Sequence, residues 1–142
     1  VTREEWMELE EACLKLYDFY RREAKSRGII IADVKLEFGR TDEGLIQIDE
    51  PVTHDSARLW LEKYYTPGRS QESNCLDKEY LRSYLRRLGY TGDGEPPKLP
   101  NPIIRQIALR VKGAYEVLAG IRSASDLDLL SLEELIGSVE ER

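Results

Sequence analysis

Histidine is almost missing from this chain: His54 stands alone, which excludes any mechanism built on two imidazoles. Cysteine is nearly as scarce, and Cys13 and Cys75 are too few for a disulfide framework or a zinc site. No long apolar run occurs. The longest, Gly28–Ala32, falls far short of the ~20 residues that span a bilayer. Val1–Leu9 is charged and lacks the apolar centre of a signal peptide. An excess of basic residues is also lacking. With 21 Lys+Arg against 27 Asp+Glu the formal net charge is −6, and no basic arm stands out. Such a chain is a poor partner for nucleic acid. The sequence therefore predicts neither a nucleic-acid nor a membrane partner, and the reducing cytoplasm is the expected location. The chain starts on Val1 rather than Met, so it is expected to be a piece of a longer protein.

What is present is a domain-sized sequence. Its 142 residues are 41% hydrophobic and 34% charged, which suits a globular domain and not a disordered one. Residues 3–27 predict a helix, because Trp6, Leu9, Cys13, Leu16, Tyr17 and Tyr20 recur at steps of three or four. Thr2 and Glu5 have the spacing of a capping box, and Gly28 is a natural stop. Residues 29–50 change period. Ile30, Ala32, Val34, Leu36 and Phe38 alternate with Ile31, Asp33, Lys35, Glu37 and Gly39, as in a strand with one apolar face. A polar turn at 40–44 and a second alternation at 45–49 complete a β-hairpin, with strands near 29–38 and 45–50. Residues 51–76 read as loop, with a short helix at 56–63. A helix at 77–88 carries Leu81, Leu85 and Leu88 on one face, and 89–101 reads as a long irregular connection. Asn101 and Pro102 then open a helix as its cap and first residue, with Ile103, Ile107, Val111, Ala114, Tyr115 and Leu118 as the buried stripe. A last helix runs from Ser131, where Ser131 and Glu134 repeat the capping box, with Leu132, Leu135, Ile136 and Val139 as its apolar face. The fold class is thus α+β: a helix, a β-hairpin forming part of an antiparallel sheet, then several helices. A two-stranded hairpin is marginal alone, so other strands are expected to come from elsewhere in the protein.

The chemistry concentrates on that first strand. Asp33, Lys35 and Glu37 are spaced to share a face. Carboxylates are depleted in strands, and the hairpin turn brings Asp49 near the Asp33–Lys35 stretch. Three carboxylates with a lysine among them suit a hard cation and an anionic ligand. The same residues also fit a salt-bridged solvent face. Asp55, Ser56 and Arg58 follow, and a guanidinium is suited to bidentate binding of phosphate or carboxylate. Asp-Ser before a helix is also a common cap. Pro67-Gly68-Arg69-Ser70-Gln71 is a glycine-containing loop with one cation, without P-loop spacing. Lys78 and Arg82 lie one helical turn apart.

Taken together these strings resemble a known family. Ile31-Ala32-Asp33-Val34-Lys35-Leu36-Glu37-Phe38-Gly39 is similar to the D-x-K-x-E-F-G signature of the SAICAR synthetases, the phosphoribosylaminoimidazole-succinocarboxamide synthases of purine biosynthesis. Ile48-Asp49-Glu50 with Thr53, Asp55, Ser56 and Arg58 resembles the segment that follows in the family. Pro67–Gln71, Asp77-Lys78 with Arg82, Pro96–Pro100 and Tyr115-Glu116 match in type and order. His54 stands where the family has Pro, and Ala57 where it has Ser.

The resemblance covers roughly residues 5–120 and implies the C-terminal lobe of a two-lobed fold, spanning 1–122. Residues 123–142 would add an amphipathic helix that packs on the lobe or on a partner. The N-terminal lobe would be missing, and the chain alone would be inactive. The implied activity is an ATP-dependent ligase that joins L-aspartate to the carboxylate of carboxyaminoimidazole ribonucleotide (CAIR), giving SAICAR, ADP and phosphate. ATP and Mg2+ are the implied cofactors, and a homo-oligomer is an expected state. The resemblance implies that Glu37 and Asp49 hold magnesium at the ATP phosphates, and that Asp33 and Lys35 line the site at the reacting carboxylate. It implies that Asp55, Ser56 and Arg58 hold the ribonucleotide, with Arg69, Lys78 and Arg82 as contacts to anionic groups. Two other readings stand beside it. One is a kinase-like phosphotransferase lobe, although H-R-D and D-F-G strings are absent. The other is a non-catalytic binding module.

Overall fold

The structure, a computed structural model, describes residues 1–69, 71 and 74–140, with side chains among them through 137. Ser70 and the side chain of Val139, both named above, lie outside the described residues.

The chain opens with α1 (Arg3–Ser26), capped as its sequence predicts: Thr2 accepts from the Glu5 amide while the Glu5 carboxylate accepts from the Thr2 amide. Leu9, Cys13, Leu16, Tyr17 and Tyr20 are half-buried and Ala24 is fully so, but Trp6 is 63% exposed, so only the C-terminal part of the helix enters the core. Gly28, with φ +77°, turns the chain into β1 (Ile29–Val34).

The predicted long first strand is two strands. β1 ends at Val34, and β2 (Glu37–Thr41) pairs with β3 (Gly44–Ile48) in a separate hairpin. The break has a local cause. The Lys35 amide donates to the Ser56 carbonyl at 2.9 Å, drawing the chain away from any β3 register. The core face also differs from the expected one. Ile29 and Ile31 are buried, and an irregularity between Ile31 and Asp33 shifts the alternation by one residue.

The partner of β1 is β4 (Ala57–Leu61), a segment expected to be loop or short helix. Ala57, Leu59 and Leu61 are buried while Arg58 is exposed, a period-2 pattern that antiparallel pairing with β1 explains. The far edge of β4 is occupied as well. Trp60 bridges to Cys75, and the Leu76 amide donates to the Leu59 carbonyl at 2.8 Å.

The helices that follow cover these strands. In α2 (Glu79–Arg87) Tyr80 and Ser83 are buried; the expected Leu81 and Leu85 are half-buried, as is Tyr84, whereas the expected Leu88 is exposed. α3 (Asn101–Leu118) is capped by Pro100, with Asn101 already helical and Pro102 in the first turn. Its buried side is Ile103, Gln106, Arg110, Gly113, Ala114 and Val117, so the expected Val111 and Tyr115 face outward. The rotation has two causes. Arg110, 1% exposed, lies over the Tyr80 ring at 3.5 Å and donates to Gln106 Oε1 and the Leu130 carbonyl at 2.7 Å each, which turns this side of the helix inward. Gly113 leaves room for Leu127. In α4 (Leu132–Glu140) the Ser131/Glu134 capping box forms, and Leu132 and Leu135 are buried.

Two apolar clusters result. One joins Ala24, Ile29, Ile31, Leu59, Leu61, Leu76, Val117 and Leu127; the other joins Cys75, Tyr80, Ile103, Leu132 and Leu135. A Cβ at Gly113 would sit 2.9 Å from Leu127 Cδ2 and 3.1 Å from Cδ1. Gly113→Ala is therefore expected to destabilise the chain by about 1–3 kcal/mol in denaturant unfolding. In a Leu127→Ala background, itself weakened by roughly 2–5 kcal/mol, the added loss should be much smaller. Equal losses in both backgrounds would show that the close approach is not the cause.

Candidate functional site: an ionic cleft between strands and helix

A cleft of about 560 Å³ opens where the ends of β1 and β4 meet the start of α2. Asp33, Lys35, Asp55, Ser56, Arg58, Lys78 and Arg82, all predicted from the sequence, line it. Glu50, Asp77 and Glu79 line it too, and sequence reasoning did not select them.

Strand register places the first pair. Asp33 lies opposite Arg58, whose Nε donates to both carboxylate oxygens at 3.0 Å and whose Nη2 donates to Oδ2 at 2.5 Å. The Arg58 amide adds a bond to Oδ1 at 3.3 Å. These hydrogen bonds from Arg58, led by the side chain, hold the Asp33 carboxyl below its usual range against the opposing effect of desolvation.

Lys35 stands in the gap between β1 and β2. Its ammonium pairs with Glu37 and lies 3.7 Å from Asp49 Oδ2. The bond to Glu37 is the main reason its pKa is raised. Glu37 and Asp49 thus meet around one cation, as the hairpin argument anticipates, but Asp33 is not with them. It is taken by Arg58, so the expected three-carboxylate group does not assemble. Among the described residues no group of three or more His, Cys, Asp or Glu is placed to hold a metal ion. Glu37 and Asp49 lie outside the lining of the cleft, reached from it through Lys35. Asp49 has φ +64°, the single positive φ outside glycine among the described residues.

The turn after β3 is fixed by hydroxyls. Ser56 Oγ donates to the Pro51 carbonyl at 2.7 Å and accepts from the Thr53 amide at 2.9 Å, while Thr53 Oγ1 donates to Glu50 Oε2 at 2.7 Å. Ser56 therefore offers the cleft acceptor capacity, its proton being committed. Asp55 receives Lys78 Nζ at 2.8 Å, which lowers the Asp55 pKa and ties this turn to the foot of α2. One turn further along α2, Arg82 lies 3.7 Å from Glu79. Arg69 is exposed in the 66–69 turn, its amide donating to the Thr66 carbonyl, and is not part of the cleft.

The residues that were missed carried weak signals. Glu50 directly follows Asp49, and continued strand alternation would turn it to the opposite face; β3 ends at Ile48, so that alternation does not reach it. Asp77 stands in the Asp77-Lys78 string that carries part of the resemblance but received no role there, and by itself it shows only the ordinary preference of Asp for helix starts. A second hollow, about 700 Å³, lies between Ser26–Gly28, Glu62–Lys63 and Gly120–Ser125, and none of the predicted residues lines it.

The comparisons with known proteins agree in direction. The family description of SAICAR synthetase matches residues 1–99. The phosphoribosylaminoimidazole-succinocarboxamide synthase of Rhodopirellula baltica is 40% identical over 117 residues, covering 82% of this chain and 36% of that protein. The SAICAR synthase of Saccharomyces cerevisiae, solved with SAICAR, superposes with a TM-score of 0.68 at 38% identity, over 78% of this chain and 36% of its own. A SAICAR synthetase solved in complex with ADP gives a TM-score of 0.60 at 26% identity, over 84% and 40%. The chain thus spans little more than a third of the length of the relatives it matches.

The Asp33–Arg58 pair predicts a pH dependence. The carboxyl pKa is lowered on folding, so its contribution to stability is complete above the unfolded value of 3.8 and is lost as pH falls through the lower folded value. Both partners are more than half exposed, so the contribution should be no more than about 1 kcal/mol. Unfolding of Asp33→Asn and the unaltered chain should differ by that amount near pH 7 and converge at acid pH. A difference that grows on acidification would contradict the assignment.

Proposed function

Starting from the fact that the chain belongs to the SAICAR synthetase family, we propose that it is the C-terminal lobe of an ATP-dependent ligase. That enzyme joins L-aspartate to the carboxylate of CAIR and gives SAICAR, ADP and phosphate. Residues 1–122 form the lobe in this reading, and 123–142 add a packing helix. The observation that carries the reading is the cleft itself, where four cations, Lys35 after β1, Arg58 on β4 and Lys78 and Arg82 at the start of α2, stand among five carboxylates on one surface. Anionic substrates need such a surface.

The roles follow from chemistry. Arg58, Asp55 and the Ser56 hydroxyl hold the ribonucleotide, the guanidinium taking an anionic group through the donors that Asp33 leaves open. Lys78 and Arg82 contact further anionic groups from the α2 side, with Arg69 as an outlying contact. Lys35 and Asp33 line the end at which the CAIR carboxylate reacts. The Lys35 ammonium, whose pKa is raised, stays charged and neutralises anionic oxygens there.

Magnesium fits Glu37 and Asp49. Both are hard oxygen donors, and magnesium is usually held by one or two carboxylates together with substrate phosphates. When bound, it supplies charge neutralisation for the transferring phosphoryl group. The protein's share is mostly positioning. An oxygen of the CAIR carboxylate takes the γ-phosphoryl group and ADP leaves. The amine of L-aspartate then attacks the acyl carbon, phosphate departs, and the amine gives up a proton.

The test is ADP release by the full-length protein with MgATP and CAIR, with and without L-aspartate, beside the 142-residue chain. The expected result is aspartate-dependent release by the full-length protein and none by the chain alone. Glu37→Gln and Asp49→Asn in the full-length protein should each cut turnover by at least about a hundredfold, with melting temperatures little changed. Near-normal turnover in both variants would remove the metal assignment. Release that ignores aspartate would favour the phosphotransferase reading.

A further inference from the structure

Asp77 has no role in the reaction just described, yet it is among the few buried charged groups of the molecule, 5% exposed at the back of the cleft. Both of its oxygens are used on backbone. Oδ2 accepts the Leu59 amide of β4 at 2.8 Å, and Oδ1 accepts the Glu79 amide at the first residue of α2, also at 2.8 Å. Just before it, the Leu76 amide donates to the Leu59 carbonyl. The Asp77 side chain therefore continues the edge pairing of β4 as a substitute backbone carbonyl, and in the same residue caps α2.

This places one carboxylate between the two cationic walls. Arg58 is the β4 residue next to the amide that Asp77 holds. Lys78 is the next residue along the chain, and Arg82 stands one turn further up the helix that Asp77 caps. Burial raises the Asp77 pKa, while the two amide bonds and the Cys75 thiol oppose that rise.

We infer that Asp77 is a positioning residue for the ribonucleotide: by bonding the Leu59 and Glu79 amides with one carboxylate, it sets the spacing between Arg58 on β4 and Lys78 and Arg82 on α2. The inference rests on the ligase reading for the identity of that ligand and on the geometry alone for the coupling. Asn cannot replace Asp here. Its single carbonyl oxygen accepts one amide, and its NH2 group would face the other donor.

The experiment compares Asp77→Asn with Leu127→Ala in the full-length protein. Leu127 is a core residue that does not line the cleft, so its truncation lowers stability without touching the walls. Two readouts are taken: KM for CAIR with kcat, and amide hydrogen exchange residue by residue. For Asp77→Asn we expect KM to rise about tenfold with kcat within about threefold, as loss of ground-state positioning implies. Exchange should accelerate at Leu59 and Glu79 well beyond the chain-wide change. Leu127→Ala should show the chain-wide change only, with KM near that of the unaltered enzyme. An exchange profile for Asp77→Asn like that of Leu127→Ala, an unchanged KM, or a fall confined to kcat would each overturn the inference. Turnover by the unaltered enzyme that ignores L-aspartate would sink the ligase reading alone, and the KM for CAIR and the exchange profile would still decide the role of Asp77.

Discussion

The strand Ala57–Leu61 is bonded along both edges, and the rest of the fold hangs on that fact. On one side it pairs with β1, which α1 covers. On the other it holds Cys75, Leu76 and the Asp77 carboxylate, which lead into α2. An isolated two-stranded ribbon has little stability of its own. This one is made stable by burial, since Leu59 and Leu61 on β4 and Ile29 and Ile31 on β1 are almost wholly removed from water. The exposed face of the same strands then carries the ionic residues at a fixed register. Core and cleft are two faces of one pairing.

The charges in the cleft do little for stability. Asp33–Arg58, Asp55–Lys78 and Lys35–Glu37 are all substantially exposed, and pairs of that kind contribute little each. What they do is keep long side chains oriented and ionised. The pKa directions agree: Asp33 and Asp55 are lowered and Lys35 and Arg58 raised, each mainly by its partner. The buried pair of Arg110 and Tyr80 works differently. There a cation is used inside the protein, stacked on a ring and bonded to Gln106 and Leu130, to fix α3 against the segment leading into α4.

What was legible in the sequence was whatever local chemistry decides. Both capping boxes, the stop at Gly28 and the irregular stretch before Asn101 follow from neighbouring residues, and they appear where expected. Seven residues of the cleft lining were legible, because charged groups at strand and turn positions are unusual enough to notice, while Glu50, Asp77 and Glu79 were not chosen and Glu37, Asp49 and Arg69 lie outside it. Three things were hidden. β4 is only five residues long, and its alternation gains meaning from a partner some 25 residues away. The strand break at Lys35 depends on the Ser56 carbonyl, a contact that no periodicity encodes. The inward faces of α2 and α3 were legible only in part, Leu88, Val111 and Tyr115 facing out, because Tyr80, Gln106 and Arg110 bury polar groups that a hydrophobic count assigns to solvent.

The backbone of Asp49 has a consequence for which substitutions this position can accept. At φ +64° most side chains crowd their own backbone, while glycine, asparagine and aspartate are tolerated best. A glutamate here would keep the charge yet oppose the turn, and a valine would oppose both. Asparagine keeps the shape and loses only the charge. Sequence drift at this one residue is thus confined by the backbone to a narrow alphabet, whatever ligand the carboxylate serves. Among its members, aspartate alone carries a negative charge.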